Sequence, residues 1–233
     1  MSDADLCQLA VDYLLAARRD PAQGRAAEVQ LARIGRDELL AGLPDEAARL
    51  AFWMDVYNAV VLRNQGVDIA RPWIRWQHFR RPLAKVAGRR MSLDDIEHGI
   101  LRRSRWKLGL GYLAHPLPAG FERAHRVRRV DPRIHFALNC GAASCPPIAA
   151  YRREHIDAQL DLATRGHLHS EIGYEDGDIL LPPVFLWFAG DFGGAPGIRR
   201  FLRRHGVSGW NRPIRFGAYD WTAVPGRWTT ERP

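Results

Sequence analysis

Apolar residues in the first third of the chain recur at intervals of three and four, which predicts three helices. In the first helix the apolar positions are Leu6, Leu9, Ala10, Tyr13, Leu14 and Ala17. Asp20 and Pro21 end this pattern, and a second helix is predicted over residues 25–40. A third opens at Pro44 and continues to Gly66. It is apolar around nearly its whole circumference, so we place it in the core.

The pattern loses its regular period after the third helix. Residues 70–90 are basic and aromatic and are predicted to be irregular, and residues 104–130 are predicted to be mainly loop because they contain several Gly and Pro. Between these two stretches, Ser92 followed three positions later by Asp95 is typical of a capped helix start.

The last third of the chain alternates short helices and strands. A helix is predicted from the loop at 140–147 to about residue 168. Strands are predicted at 178–181 and 214–219, and a basic helix at 198–204.

These elements predict a helix-rich α+β domain with a small central sheet, for which a papain- or transglutaminase-like arrangement is a candidate. We find no internal repeat, low-complexity tract or clear domain boundary. Residues 1–44 are predicted as an N-terminal helical segment, and residues 45–233 as the main domain.

Composition narrows the class of protein without naming an activity. The chain has 233 residues, 46% of them apolar and 26% charged, which are values typical of a globular protein. No run approaches the ~18 apolar residues of a membrane-spanning helix, and the first residues do not form a signal-peptide pattern. Three cysteines are too few for a disulfide scaffold. A cytoplasmic location is therefore expected.

The formal net charge is +8, and nearly all of the basic residues are arginines, with only Lys85 and Lys107 as lysines. Arginine is spread along the whole chain, so we interpret the excess as a compositional bias. A weak general attraction to polyanions is expected from the charge, but not specific recognition.

The segment that carries most candidate chemistry begins at residue 134. Residues 134–139 alternate apolar and polar side chains, which predicts a short strand with His135 and Asn139 on the same face. Cys140 and Cys145 follow at once. An imidazole near a thiol is the combination that an activated cysteine nucleophile requires.

Cys145 directly precedes two prolines, and the second, Pro147, suits the first position of a helix. A thiol beside a helix N-terminus is expected to ionise more readily. Two other interpretations stay open: buried, inert thiols around a tight turn, and a zinc site that uses Cys140 and Cys145 with histidines from elsewhere.

A second candidate block surrounds His98. On a helix, Asp94 and His98 are neighbours one turn apart, and Glu97 precedes the histidine. An acidic neighbour raises the basicity of an imidazole, although a first-turn acidic cluster also stabilises a helix start without any catalytic role. Asp191, in a strongly aromatic stretch, is a third polar position whose role the local sequence leaves undecided.

Several motifs occur together in one order along the chain. They are Phe52-Trp53-Met54-Asp55-Val56-Tyr57-Asn58-Ala59, Ser92-Leu93-Asp94-Asp95-Ile96-Glu97-His98-Gly99-Ile100-Leu101, Asp131-Pro132-Arg133-Ile134-His135-Phe136-Ala137-Leu138-Asn139-Cys140-Gly141-Ala142, Ser144-Cys145-Pro146-Pro147, Trp187 with Asp191-Phe192, and Tyr219-Asp220-Trp221. With this set the chain resembles the domain-of-unknown-function 547 family over about residues 45–222. Asp55 stands where that family usually has Asn, and the usual Ser-Leu-Asn does not follow Trp221.

The resemblance implies that several polar residues belong to the family pattern: Asn58, Glu97, His98, His135, Asn139, Cys140 and Cys145. It does not choose between the two cysteines, or between His98 and His135.

The leading hypothesis is a cysteine-dependent hydrolase or acyl-transferase of peptidase or amidase type, acting on a small-molecule or peptide substrate without a cofactor. Cys145 is predicted as the nucleophile and His98 or His135 as the base, with Glu97 or Asn139 orienting the ring. Backbone N–H groups around residues 141–144 would form an oxyanion-binding nest. The alternative is a non-catalytic binding module whose arginine-rich surface recognises an anionic or protein partner.

Overall fold

The computed structural model describes residues 5–229. Four helices make up the first quarter of the chain: α1 (Leu6–Arg19), α2 (Pro21–Arg33), α3 (Arg36–Gly42) and α4 (Glu46–Arg63). Asp5, Asp20 and Asp45 cap α1, α2 and α4 by accepting backbone N–H groups of the first turn.

The single helix predicted over residues 25–40 is two helices. The chain is extended at Ile34 and Gly35, and the Glu38 carboxylate accepts the Gly35 N–H at 3.1 Å. A side chain of α3 therefore satisfies a backbone group that a continuous helix would have bonded internally, so the helix restarts there.

Helix α4 forms the centre of the main core, as its apolar circumference predicts. Phe52, Trp53 and Met54 are completely buried, and α1 contributes Ala10 and Leu14 to the same cluster. The helices before residue 45 therefore pack on the domain that follows them.

The stretch predicted as irregular contains regular elements. Helix α5 (Pro72–Arg80) is followed by an antiparallel hairpin of β1 (Ala84–Val86) and β2 (Arg89–Met91), and α6 (Gly120–His125) lies in the predicted loop. Helix α5 buries only two residues, so it has no apolar period for a sequence pattern to show.

The predicted capping box is present. Asp95 Oδ2 accepts the Ser92 N–H and hydroxyl, both at 2.8 Å, and the Asp95 N–H donates to Ser92 Oγ. The helix that follows is a π-helix over Asp95–Leu101, which holds both Glu97 and His98. Such widened turns are frequent at functional sites.

The strand predicted at 134–139 is wrong: the chain forms a 3₁₀ helix over Pro132–Phe136, capped by Asp131. Ile134 belongs to the main core, whereas Phe136 belongs to a second cluster. The alternation of apolar residues arises because the segment lies between two cores, and it does not place His135 and Asn139 on one strand face.

The helix predicted directly after Cys145 begins later. Residues 146–152 are not helical; a 3₁₀ turn spans Arg153–His155, and α7 runs over Ile156–Glu171. Cys145 therefore does not lie at a helix N-terminus.

A three-stranded sheet packs beside the second hydrophobic cluster, the one that contains Phe136. Strand β4 (Asp178–Leu181) lies in the middle, antiparallel to β3 (Gly173–Glu175) and parallel to β5 (Ile214–Phe216). Helices α8 (Val184–Trp187) and α9 (Gly194–Arg204) complete the fold.

The chain is a helix-rich α+β protein with small sheets, as predicted. The likeness to papain or transglutaminase folds stays a prediction. Within residues 5–229, no helix is both long and apolar enough to cross a membrane.

Candidate active site

Five of the six candidate residues line one cavity of about 570 Å³: Glu97, His98, His135, Cys140 and Cys145. The rest of its wall is mainly aromatic and apolar, with Tyr57, Trp76, Phe79, Leu138, Trp187, Phe188, Tyr219 and Trp221 among the lining residues. The π-helix, the 3₁₀ helix and the cysteine loop therefore bring separate sequence motifs to one open cavity of the size that small ligands occupy.

The Cys145 sulfur accepts hydrogen bonds from its own loop and from the C-terminal segment. The backbone N–H of Cys140 donates to Cys145 Sγ at 3.0 Å, and the Tyr219 hydroxyl lies 3.3 Å from the same atom. Burial raises the pKa of Cys145, but hydrogen bonds from the Cys140 thiol, from Tyr219 and from the backbone of Cys140 and Ala142 outweigh it and lower the pKa to about 7. Cys145 therefore ionises more readily than an ordinary thiol.

The pKa of Cys140 is shifted in the opposite direction. Its pKa is held well above the usual value by its hydrogen bond to Cys145, by burial and by the charge of Cys145. Its sulfur lies 3.6 Å from the Tyr219 hydroxyl. Cys140 is thus a protonated donor beside the ionisable sulfur, and the structure distinguishes the two cysteines, which the family resemblance does not.

The C-terminal segment brings Tyr219 to the thiols. Ala143 and Ser144 donate backbone hydrogen bonds to Thr222 and Asp220, at 2.9 and 3.2 Å, and the Asp220 N–H donates to Ser144 Oγ at 3.0 Å. These bonds lay the residues around 220 along the cysteine loop.

The predicted oxyanion nest around residues 141–144 is wrong, because its N–H groups are already bonded. Those of Ala143 and Ser144 go to the C-terminal segment, and that of Gly141 goes to Asn139 Oδ1 at 2.7 Å. The Ala142 N–H is directed at the sulfurs instead. The loop therefore stabilises the thiolate and has no free N–H pair for a substrate oxygen.

Asn139 does not line the cavity and orients no histidine. Its amide donates to the Pro146 carbonyl at 2.7 Å, and its backbone N–H donates to Asn58 Oδ1 at 3.0 Å. Asn58 in turn donates to the Ala137 carbonyl, so this buried amide on α4 has the hydrogen-bond partners that it requires. Both amides hold the cysteine loop on the core helix.

His98 is held by a buried arginine. Arg102 Nη1 lies 2.8 Å from His98 Nδ1. Since a guanidinium can only donate, Nδ1 accepts and the neutral ring carries its proton on Nε2. Burial, followed by the positive charge of Arg102, lowers the pKa of His98 well below its usual value. Glu97 lies 3.8 Å from this ring, too far to orient it by a hydrogen bond.

Asp191 joins His135 to the same arginine. Its Oδ2 accepts from Arg102 Nε at 2.6 Å and pairs with His135 Nε2 at 3.0 Å. The side chains of Arg102 and Asp191 are completely buried. Burial raises the pKa of Asp191, but the bonds from His135 and Arg102 outweigh it and lower that pKa, so the carboxylate stays ionised.

The His135 ring stacks on Phe188 with a centroid distance of 4.1 Å. Burial lowers the pKa of His135, although its bond to Asp191 opposes that effect. Its Nε2–H donates to the carboxylate, and this leaves Nδ1 without the proton. Both imidazoles of the site are therefore neutral near pH 7.

Glu97 is a buried carboxyl beside a buried phenol. Tyr57 donates to Glu97 Oε2 at 3.2 Å. Burial raises the pKa of Glu97, and Arg102 only partly opposes it. Glu97 therefore keeps a proton to a higher pH than an exposed glutamate does.

Sequence reasoning missed Arg102 and Tyr219 as site residues and left Asp191 undecided. Arg102 stands in a chain rich in arginine, so nothing marks it as different. Tyr219 lies 74 positions from Cys145. Its appearance in a family motif was the one signal that could have drawn attention to it.

In the part of the chain that it describes, the structure adds no further ligands to a zinc site at Cys140 and Cys145. Among residues 5–229, no group of three or more His, Cys, Asp and Glu side chains is placed to hold a metal ion.

The model of the family "protein of unknown function, DUF547" matches residues 40–168, more than half of the chain. The matched part includes the π-helix, the 3₁₀ helix and the cysteine loop, whereas Asp191 and Tyr219 lie beyond it. No curated protein and no solved structure matched the chain. The chain therefore belongs to the DUF547 family.

Proposed function

We propose that this protein is a cysteine-dependent hydrolase or acyl-transferase, with Cys145 as the nucleophile. The observation that carries the proposal is the environment of Cys145 Sγ, which accepts the Cys140 N–H at 3.0 Å and lies 3.3 Å from the Tyr219 hydroxyl in the wall of a large cavity. With a pKa of about 7, the thiol supplies a nucleophilic thiolate under neutral conditions.

In the first step the Cys145 thiolate attacks the carbonyl carbon of an ester, thioester or amide. A carbon–sulfur bond forms, the bond to the leaving group breaks, and the leaving group takes a proton from the Glu97 carboxyl. Water then attacks the thioester: the acid departs, Cys145 returns as thiolate, and Glu97 regains a proton from the water. In acyl transfer, an amine or hydroxyl compound replaces the water.

Glu97 is assigned the proton because burial raises its pKa, whereas burial lowers the pKa of both imidazoles. A base of low pKa is a weak proton acceptor at neutral pH. His98 and His135 are each bonded to the Arg102–Asp191 pair, and we assign them to shaping the cavity wall and fixing Glu97's surroundings.

The first test is alkylation by iodoacetamide over a range of pH, resolved by mass spectrometry for each cysteine. Cys145 should react with an apparent pKa near 7, and Cys140 should react only at much higher pH. Cys7 is the internal control, since burial raises its pKa to about 12. If Cys145 is as inert as Cys7 in the folded protein, the nucleophile assignment is wrong and the non-catalytic binding module becomes the better account.

The second test uses turnover of p-nitrophenyl esters and acyl thioesters of increasing chain length. Cys145→Ala should abolish turnover and acyl-enzyme formation, while Cys7→Ala should retain both, with circular dichroism confirming that each variant is folded. Turnover retained by folded Cys145→Ala would remove this residue from the mechanism.

A further inference from the structure

Exposed apolar side chains concentrate on α5 and on the loop at 105–114. Of the thirteen large hydrophobic residues that are exposed among residues 5–229, seven lie on these two segments. They are Trp73, Trp76, Trp106, Leu108, Leu110, Tyr112 and Leu113. Trp73 is 60% exposed and Leu108 61%. Such a concentration differs from the single exposed apolar residues of an ordinary surface and marks an interaction site.

The same two segments, together with the residues directly beside them, are basic. Residues 71–81 and 103–114 contain seven Arg and Lys and no Asp or Glu. Within the described residues, Arg80, Arg81 and Arg103 are exposed and have no carboxylate within ion-pair distance. Among the described residues, the carboxylates that form ion pairs with these segments are Asp68, with Arg71, and Asp94, with Lys107.

Residues 71–81 and 103–114 form one fixed surface, which we name the basic-aromatic face. Lys107 Nζ lies 5.0 Å from the centroid of the Trp76 ring on α5. The Trp106 N–H donates to the Leu113 carbonyl at 2.9 Å and closes the loop, and the Gly190 N–H donates to the Leu110 carbonyl at 2.8 Å. The loop is therefore seated on the body of the protein with its apolar side chains outward.

We propose that the basic-aromatic face docks on the surface of an anionic phospholipid bilayer. Tryptophan and leucine side chains enter the boundary between headgroups and acyl chains, and arginines attract anionic headgroups. A nucleic acid would also attract the arginines and stack on the tryptophans. It has no place for exposed leucines such as Leu108 and Leu113, and this favours the lipid surface.

The mouth of the cavity opens on this face. Trp76, Leu108 and Leu110 are exposed and also line the cavity that holds Cys145. A protein docked in this way would present that cavity to the membrane surface, where an amphiphilic molecule could enter from the lipid. Docking itself does not depend on the proposed chemistry of Cys145.

The test is co-sedimentation of the full chain with vesicles of phosphatidylglycerol mixed into phosphatidylcholine, and with vesicles of phosphatidylcholine alone. The protein should bind the anionic vesicles and bind the neutral vesicles at least tenfold more weakly. The Trp73→Ser/Leu113→Ser variant should lose roughly tenfold in partitioning, since two inserted apolar side chains no longer leave water. Arg80→Gln/Arg81→Gln should lose about as much through the charge.

Matched controls change comparable residues outside the face. Val29→Ser/Leu40→Ser replaces two side chains that are 47% and 42% exposed, and Arg33→Gln/Arg36→Gln removes two exposed arginines. Both controls should bind anionic vesicles nearly as well as the unchanged protein. Thermal unfolding checks that every variant is folded. If Trp73→Ser/Leu113→Ser does not fold, Arg80→Gln/Arg81→Gln alone tests the proposal.

Three outcomes would overturn the proposal: equal binding to neutral vesicles, equal losses in face and control variants, or binding to single-stranded DNA without binding to vesicles. None of the four residues changed on the face lines the cavity. In variants at these residues the alkylation rate of Cys145 should therefore be unchanged. This measurement separates a failure of docking from a failure of the proposed function.

Discussion

The backbone N–H of Cys140 donates a 3.0 Å hydrogen bond to the sulfur of Cys145. Together with bonds from the Cys140 thiol and Tyr219, this bond favours negative charge on Cys145, while the bond to Cys145 keeps Cys140 protonated, so two cysteines five positions apart have different chemistry. A helix dipole is not needed for this difference, because the cysteine loop and Tyr219 supply the donors.

Tyr219→Phe should weaken the activation of Cys145. Burial and the neighbouring Cys145 keep the pKa of Tyr219 above its usual range, so the hydroxyl stays protonated and can donate to the sulfur. A hydrogen bond to a charged group contributes about 1.5–3 kcal/mol, so its loss should raise the pKa of Cys145 and slow alkylation at pH 7 roughly seven- to eightyfold. Iodoacetamide kinetics over pH measure the change.

Tyr174→Phe is the matched control. Its hydroxyl donates to the Ser208 carbonyl at 2.8 Å, and Tyr174 is not among the residues that line the cavity. Alkylation of Cys145 should be unaffected. Equal rates in Tyr219→Phe and the unchanged protein would show that the phenol does not hold the thiolate.

The helix start at Ser92 was predictable because Ser92 and Asp95 satisfy each other's backbone groups within three positions, and the sequence displays the pair. Asp20 and Pro21 were interpreted as the end of the first helix, but Asp20 also caps α2, which begins four residues before the predicted position 25. The 134–139 strand failed for a different reason. Ile134 and Phe136 are both buried, but in two separate cores. A pattern of six residues cannot distinguish this arrangement from a strand whose apolar residues share one face.

The candidate site was predictable only as a set of reactive side chains. Cys140, Cys145 and His135 lie within eleven positions of sequence, and the structure places them in one cavity with Glu97 and His98 but leaves Asn139 out of its lining. Contacts between distant segments determine the roles of these side chains: Arg102 meets Asp191 across 89 positions, and Tyr219 meets Cys145 across 74. No periodicity records such pairs.

Asp191→Asn should strongly destabilise the fold. It leaves the Arg102 guanidinium buried without its carboxylate, and the loss of one partner from a buried ion pair costs about 3–5 kcal/mol. Urea unfolding followed by tryptophan fluorescence measures the free energy of unfolding. Asp68→Asn removes the exposed pair with Arg71 and should cost less than about 1 kcal/mol. Similar losses in the two variants would contradict the structural importance of the buried pair.

Asp55→Asn should stabilise the protein at neutral pH. Burial raises the pKa of Asp55 well above its usual value, and its carboxyl accepts the Tyr151 N–H at 3.0 Å. Asp55 thus keeps its proton in the folded state while the unfolded chain releases it above pH ~3.9, so this residue costs stability as the pH rises. Asparagine accepts the same bond without that cost.

The stability gained through Asp55→Asn should therefore be larger at pH 7 than at pH 4, because the unfolded chain releases the Asp55 proton over this range while the folded protein keeps it. Urea unfolding at both pH values measures it. Asp176→Asn makes the same substitution at an exposed turn residue and is measured alongside as the control. A gain for Asp55→Asn that is equal at both pH values would rule out a titrating Asp55 as its cause.

Gly111→Ala should destabilise the protein more than the strain of its backbone explains. Gly111 has a φ of +80°, and a Cβ there would lie 2.7 Å from both the backbone nitrogen and Oδ1 of Asp191. Gly88, at the turn of the β1–β2 hairpin, has a φ of +73° and no atom within 4 Å of the same position. Gly88→Ala therefore measures the strain alone, about 1–2 kcal/mol.

Gly111→Ala adds the clash, for which overpacking of a filled site suggests a further ~1–3 kcal/mol. The difference between the two variants in urea unfolding measures how tightly the 105–114 loop is seated on Asp191. A clear excess in Gly111→Ala means that the loop cannot move away from the buried ion pair at low cost. Equal losses would mean that it can, and the basic-aromatic face would then be an adaptable surface instead of a fixed one.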